Sequence, residues 1–132
     1  MASIFSKIII GEIPSYKIAE NEMFFAFLDV FPLMPGHTLV VPKREVDYLF
    51  DLNEAELSGI LEFARPIAKA IENAFPCSRC GISVIGLEVA HAHVHLVPIN
   101  SADDLNFTRS KLKLSHDQLK DTQHRILEQL IK

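Results

Sequence analysis

Three histidines occupy alternate positions in His91-Ala92-His93-Val94-His95-Leu96-Val97-Pro98-Ile99. A β-strand sends successive side chains to opposite faces. A strand here presents all three imidazoles on one face and Ala92, Val94 and Leu96 on the other. Neighbouring rings then lie ~6.6 Å apart along the strand. Packing alone gives no reason to gather three titratable rings on one face. Two chemistries use such a ladder. Imidazoles at alternate strand positions can chelate a metal ion. Alternatively, one imidazole is a nucleophile and its neighbours orient it or supply protons. Free imidazole titrates at about 6.5, so its neutral form is available to attack phosphorus near neutrality. A cationic neighbour would depress that value further. The spacing leaves both readings open.

The elements that must position these rings follow from periodicity and punctuation. Ser3 to Gly11 reads as a short helix ended by glycine, with a turn at Pro14. Tyr16 to Glu20 and Phe24 to Asp29 form a hairpin turning at Asn21-Glu22, its second strand buried. Phe31-Pro32-Leu33-Met34-Pro35-Gly36 is a loop that delivers His37 to a third strand, Thr38 to Val41, stopped by Pro42. Asn53 to Phe75 is the one long helix. Asn53 and Glu56 suit a capping box, and Leu57, Ile60, Leu61, Ala64, Ile67, Ala68 and Ile71 share one face. Pro66 should bend that helix or split it. Two strands follow, Gly81 to Ile85 and Val89 to Ile99. Ser115 with Gln118 then caps a C-terminal amphipathic helix carrying Leu119, Ile126, Leu127 and Leu130. The expected fold is α+β: an antiparallel sheet of about five strands with one long helix on a face and a C-terminal helix.

The chain has 132 residues, 48% apolar and 23% charged, which suits a single domain over residues 1–132 with one continuous core. No repeats or low-complexity tracts mark a boundary. The net charge of -4 gives no basic field for nucleic acid, so any bound nucleotide must be held by local contacts. No apolar run reaches the roughly 20 residues needed to cross a bilayer, and Ile8 to Ile10 is too short for a signal-peptide core. A cytoplasmic protein with no membrane or nucleic-acid partner is expected. Cys77 and Cys80 form a Cys-x-x-Cys pair, but no second pair completes a zinc site. The pair follows a helix and precedes a strand, the reverse of a thioredoxin-like context, so two reduced thiols in a turn are expected.

The triad and its surroundings resemble the histidine-triad (HIT) superfamily. His91-x-His93-x-His95 with an aliphatic pair is similar to its signature. So are Ile4-Phe5-Ser6-Lys7-Ile8-Ile9 with Gly11-Glu12-Ile13-Pro14, Phe25-Ala26-Phe27-Leu28-Asp29-Val30, and Pro35-Gly36-His37-Thr38-Leu39-Val40-Val41-Pro42-Lys43. Four motifs in order are far more specific than the triad alone. The resemblance implies that His93 is the nucleophile, attacking an α-phosphorus in line to leave a nucleotidyl-histidine that water or another acceptor discharges. It implies that His95 hydrogen-bonds the phosphate or leaving group. It further implies that His91 and His37 form a hydrogen-bonded relay behind His93. Alone, His37 would read as a polar residue at a strand start, and Asp29 as a turn residue. With the resemblance, Asp29 is expected on a ribose, and Ile4, Phe5, Ile8, Phe27, Val30 and Leu39 around a purine base. No cofactor and no metal are implied. A small sheet with one covering helix leaves apolar surface unburied, so a symmetric homodimer is expected, as the resemblance also implies, with the long helix and the strand near Gly81 as the interface.

Two departures stand out. Many bacterial members bind a structural zinc through an N-terminal Cys-x-x-Cys, a histidine after the Pro-Lys and the first triad histidine. The matching positions here are Ser3, Ser6 and Glu45, and only His91 remains. Before the triad, the family's Gly-x-Asn, loop, Gly-Gln-Ser/Thr-Val becomes Gly81-Ile82-Ser83-Val84-Ile85-Gly86-Leu87-Glu88-Val89, about three residues shorter. Ser83 stands where a phosphate-facing Asn is usual, Leu87 replaces the Gln, and Glu88 takes the place of a small hydroxyl residue. A carboxylate there either points away or changes the substrate. The expected activity is that of a nucleotidyl hydrolase or transferase acting on a nucleoside 5′-phosphoramidate or dinucleoside polyphosphate. The alternatives are a non-catalytic purine-nucleotide-binding module and a metal-dependent hydrolase with the triad as ligands.

Overall fold

A computed structural model describes residues 2–131. Its elements run α1 (Ile4–Ile9), β1 (Lys17–Glu20), β2 (Phe24–Leu28), β3 (Thr38–Pro42), α2 (Glu54–Ala74), β4 (Arg79–Ser83), β5 (Val94–Ile99) and α3 (His116–Leu130). The five strands form one sheet in the order β1-β2-β3-β5-β4, every pairing antiparallel. The α+β class and the five-strand sheet expected from the sequence are what the chain adopts.

The helical layer is built as its caps and period require. Asn53 Oδ1 accepts the Glu56 amide at 2.8 Å, and the Asn53 amide donates to Glu56 Oε1 at 3.0 Å. Arg44 grips the same carboxylate at 2.6 and 3.1 Å. This pairing lets Glu56 sit buried, ionised below the usual carboxylate range. Helix α2 runs unbroken through Pro66, so the expected split does not occur. Pro66 lies on the exposed side, where water can serve the carbonyl left without its usual N–H partner. Ser115 and Gln118 cap α3 reciprocally. Ile60, Ala64, Ile67 and Ile71 of α2 pack with Leu119 and Ile126 of α3 on Phe24, Ala26, Leu28, Val40, Val94 and Leu96 of the sheet. Both long helices therefore share one layer on one face.

The opposite face is also covered, so every residue of β2 and β3 is buried. There Phe5 of α1 joins Phe25, Phe27, Leu39 and Val41, with Ile8, Ile9 and Val89 partly buried around them. The last two strands differ from expectation, β4 lying two residues earlier and ending at Ser83, β5 starting later. β4 begins at Arg79, because Arg79 and Cys80 pair with Ile99 and Pro98. β5 begins only at Val94, because the Ala92 amide donates out of the sheet to Val46 O at 2.7 Å and the His91 amide closes a turn onto Val89 O. Cys77 and Cys80 are free thiols, both raised above their ordinary range by burial, Cys80 to about 12. No helix among the described residues is long and apolar enough to cross a membrane.

Candidate active site

Directly opposed residues in antiparallel strands share a face. The register therefore places Phe27, Leu39, His95 and Ser83 in one row across β2, β3, β5 and β4. At the end of this row the Asp29 amide donates to His37 O, so these two residues also lie side by side. Gly36 makes the approach possible: it adopts φ 100°, and a Cβ there would sit 3.0 Å from the Phe75 ring. His91 and His93 come from the irregular lead-in to β5 rather than from a regular strand. They nevertheless reach the same side, with Phe5 edge-on to both at 5.8 and 5.1 Å and His93 4.9 Å from His95 between ring centres.

Hydrogen bonding fixes the tautomers of these rings, since a neutral imidazole has one donor and one acceptor. The Leu33 amide donates to His37 Nδ1 at 3.0 Å, so the His37 proton is on Nε2. That atom lies 2.9 Å from His95 Nδ1, which must accept, leaving the His95 proton on Nε2. His93 Nδ1 lies 2.7 Å from His91 O, a carbonyl that can only accept, so His93 carries its proton on Nδ1 and a lone pair on Nε2. His91 Nε2 likewise donates to Pro42 O at 2.7 Å, and its Nδ1 accepts from the Ser3 hydroxyl at 2.8 Å. The relay expected between His91 and His37 is thus replaced by two separate arms: His37 supports His95, and the backbone of His91 supports His93.

Electrostatics agree with neutral rings. Burial, reinforced by His95, Lys111 and His93, pushes His37 down to about 3. Burial, then His93 and Lys111, pushes His95 down to about 4, and burial lowers His91 as well. Asp29 Oδ2 lies 3.6 Å from His37 Nε2, but with His37 neutral this is a carboxylate beside a ring, not an ion pair. Burial raises the Asp29 carboxyl, and the negative charge of the exposed Glu88 adds a smaller rise.

Asp29, His37 and His95 bring three ligand atoms within 4.8 Å of one another, which invites a test of the metal reading. The donors do not suit it. A metal on His37 Nε2 would force that ring's proton onto Nδ1, against the Leu33 N–H. His91 has both nitrogens engaged, and His93 offers only Nε2.

Among the other expected residues, Phe5, Phe27 and Leu39 are buried beside the histidines and Ile8 packs on them. Ile4 and Val30 are 49% and 43% exposed, at the rim rather than in the cluster. Sequence reasoning missed Phe107, whose ring meets His95 edge-on at 4.6 Å and His37 at 6.0 Å. Its only signal is a lone aromatic in a polar stretch. Lys111 was missed too; its ammonium bonds Phe107 O at 2.5 Å and bears on His37, His95 and Asp29.

An α+β sheet with a hydrogen-bonded histidine cluster on the face opposite its long helices defines a class of protein, and comparison with known proteins supplies its family. The HIT domain model matches residues 10–102, and the chain belongs to the HIT domain family. It is 35% identical over 126 residues to an uncharacterized HIT-like protein of Borreliella burgdorferi, covering 89% of this chain and 91% of that one. It is 36% identical over 100 residues to an adenosine 5′-monophosphoramidase of Schizosaccharomyces pombe, covering 74% of each. Among solved structures, a Hit-like protein from Bartonella henselae superposes with a TM-score of 0.84 at 28% identity, over 96% of this chain and 95% of that one.

Proposed function

We propose that this protein is a nucleotidyl hydrolase that cleaves purine nucleoside 5′-phosphoramidates through a nucleotide bound to His93. The observation that carries the reading is the tautomer of His93. The His91 carbonyl holds its Nδ1 proton, leaving Nε2 unprotonated beside His95, whose own Nε2 carries a proton. In the proposed reaction His93 Nε2 attacks the α-phosphorus, a P–N bond to the enzyme forms, and the P–N bond to the leaving amine breaks. The amine departs with the proton it already carries in the reactive form of the substrate. His95 Nε2–H donates to a phosphate oxygen and stabilises the charge that develops there. Water then attacks phosphorus, the P–Nε2 bond breaks, and one water proton passes to solvent.

The apolar cluster of Phe5, Phe27 and Leu39, with Ile8 beside it, suits a purine. Asp29, at the end of the same row, suits the ribose hydroxyls, and Ser83, paired with His95, suits the phosphate. The similarity to a monophosphoramidase is consistent with this substrate class. A homodimer also belongs to this reading. β4 is an edge strand with Ile82 50% and Leu87 89% exposed nearby, and Tyr48, Phe50, Val84 and Ile85 line a cavity of about 630 Å³ beside it.

The test is a panel of adenosine and guanosine phosphoramidates and dinucleoside polyphosphates, with a quench that avoids acid so that the P–N adduct survives. A covalent nucleotide on wild-type protein, mapped to His93, is the expected result. Turnover of phosphoramidates by His93→Ala at the wild-type rate would end the proposal. Nucleotide binding without any adduct or turnover would point to a binding module instead.

A further inference from the structure

The positions read as vacated zinc ligands are not idle. Glu45 Oε1 accepts the Ser3 amide at 2.6 Å and the Ser6 hydroxyl at 2.6 Å. Ser3 Oγ accepts the Ser6 amide at 3.0 Å, capping α1, and donates to His91 Nδ1 at 2.8 Å. His91 is fully buried and donates its other nitrogen to Pro42 O, while its carbonyl holds the His93 proton. Glu45 anchors Ser3 and Ser6, Ser3 fixes the His91 ring, and His91 fixes His93.

We infer that Glu45, Ser3 and Ser6 are positioning residues that, by anchoring the His91 ring, hold the His91 carbonyl where it keeps the His93 proton on Nδ1. The inference rests on the reading of His93 as nucleophile. Helix α1 has only six residues, too few to hold its own shape without a tertiary anchor. Glu45 supplies that anchor from a distant part of the chain, and the same anchor keeps Phe5 closed over His91 and His93. Removing the Ser3 hydroxyl would take away the oriented donor that faces Nδ1 of this buried ring. The carboxylate is well suited to the task. Hydrogen bonds from the Ser3 amide and the Ser6 hydroxyl hold Glu45 at about 2, so it stays an ionised acceptor throughout the working range.

The variants Ser3→Gly, Ser3→Thr and Glu45→Ala separate this role from simple support of the fold. Glycine is nearly as good an N-cap as serine but cannot donate to His91, whereas threonine keeps both functions. Two readouts apply to the full chain: steady-state kinetics on adenosine 5′-phosphoramidate, and nitrogen-15 NMR of the histidine rings, which reports tautomers without any substrate. In wild type and Ser3→Thr, His93 should show one Nδ1–H tautomer and similar kcat. In Ser3→Gly and Glu45→Ala, His93 should populate both tautomers, and kcat should fall about tenfold with KM within about twofold, as expected for loss of one buried, oriented hydrogen bond. A single His93 tautomer in Ser3→Gly, an unchanged kcat in that variant, or an equal loss in Ser3→Thr would overturn the inference. If wild type turned over no nucleotide conjugate, the nucleophile reading would fall, and the tautomer measurement would still decide the network.

Discussion

The two faces of the sheet are both dry, yet they are built on different terms. On the α2 and α3 side, Ile60, Ile67, Ile71 and Ile126 meet Leu28, Val40 and Val94, and the buried polar groups are few, chiefly the hydroxyls of Thr38 and Thr122. Such a face is specified by volume and period, and many aliphatic combinations would fill it. On the α1 side, the fully buried His37 and His91 and the nearly buried His93 and His95 share the space with phenylalanines. Here both nitrogens of His37 and His91 and the Nδ1 of His93 and His95 are each held by a hydrogen bond, so a change of hydrogen-bond sense propagates along each arm. The first face carries the stability of the fold. The second spends stability on fixing proton positions.

A paired substitution would break this division if it is wrong. His93→Ala should lower phosphoramidate turnover by at least about 10³-fold, as loss of a covalent nucleophile does, while shifting Tm by only a few degrees. Ile71→Ala, at a fully buried position, should do the converse: about 2–5 kcal/mol of stability lost, with kcat within about twofold at temperatures where the variant is folded. Calorimetry and steady-state kinetics on the two proteins check both halves. A stability loss in His93→Ala as large as that in Ile71→Ala would erase the distinction.

Next in size is the response to pH. His37 and His95 are depressed in the folded protein to about 3 and about 4 from 6.5. The unfolded chain therefore binds more protons than the folded one between those values and 6.5. Stability is fully present above about 6.5 and is lost as pH falls toward 4 and 3. Tm should drop on the order of 10 °C between pH 7 and pH 5. The loss should be much smaller in a His37→Phe, His95→Phe double variant. Equal slopes in the two proteins would show that acid acts elsewhere.

The same contrast explains what was legible in the sequence. The aliphatic face was readable: α2 follows its spacing of three and four, and the Asn53–Glu56 box forms where its residue types require. Phe27, Leu39 and His95 fall in one row because strand alternation is reliable. The lead-in to β5 was not readable as anything but strand. Its irregularity comes from a side chain bonding a carbonyl two residues back and from an amide donating to Val46, and neither leaves a mark on hydrophobic period. The pairing of His37 with His95 rather than His91 joins residues 58 apart in sequence, a distance at which pattern gives no register. The role of Ser3, Ser6 and Glu45 was hidden for the same reason. The resemblance marked them as lost ligands, and only their mutual distances reveal a network in their place.

Phe107 provides the smallest and most discriminating test of the second face. Its ring stands edge-on to His95 and His37, closing the open side of that pair, and it belongs to a segment tied back by Arg109 to Leu33 O at 2.9 Å. Burial is the first cause of the low values of both histidines. Phe107→Ala would admit water and weaken that cause, so the charged form of His95 becomes easier to reach and its titration moves up toward 6.5. The rise should be of order one unit by NMR titration, and turnover at pH 7 should fall only about threefold, because His95 remains neutral there and loses packing rather than its proton. Phe107→Leu keeps an apolar cover and should recover most of both. An unmoved His95 titration in Phe107→Ala would mean that the sheet and α1 alone keep the histidines dry.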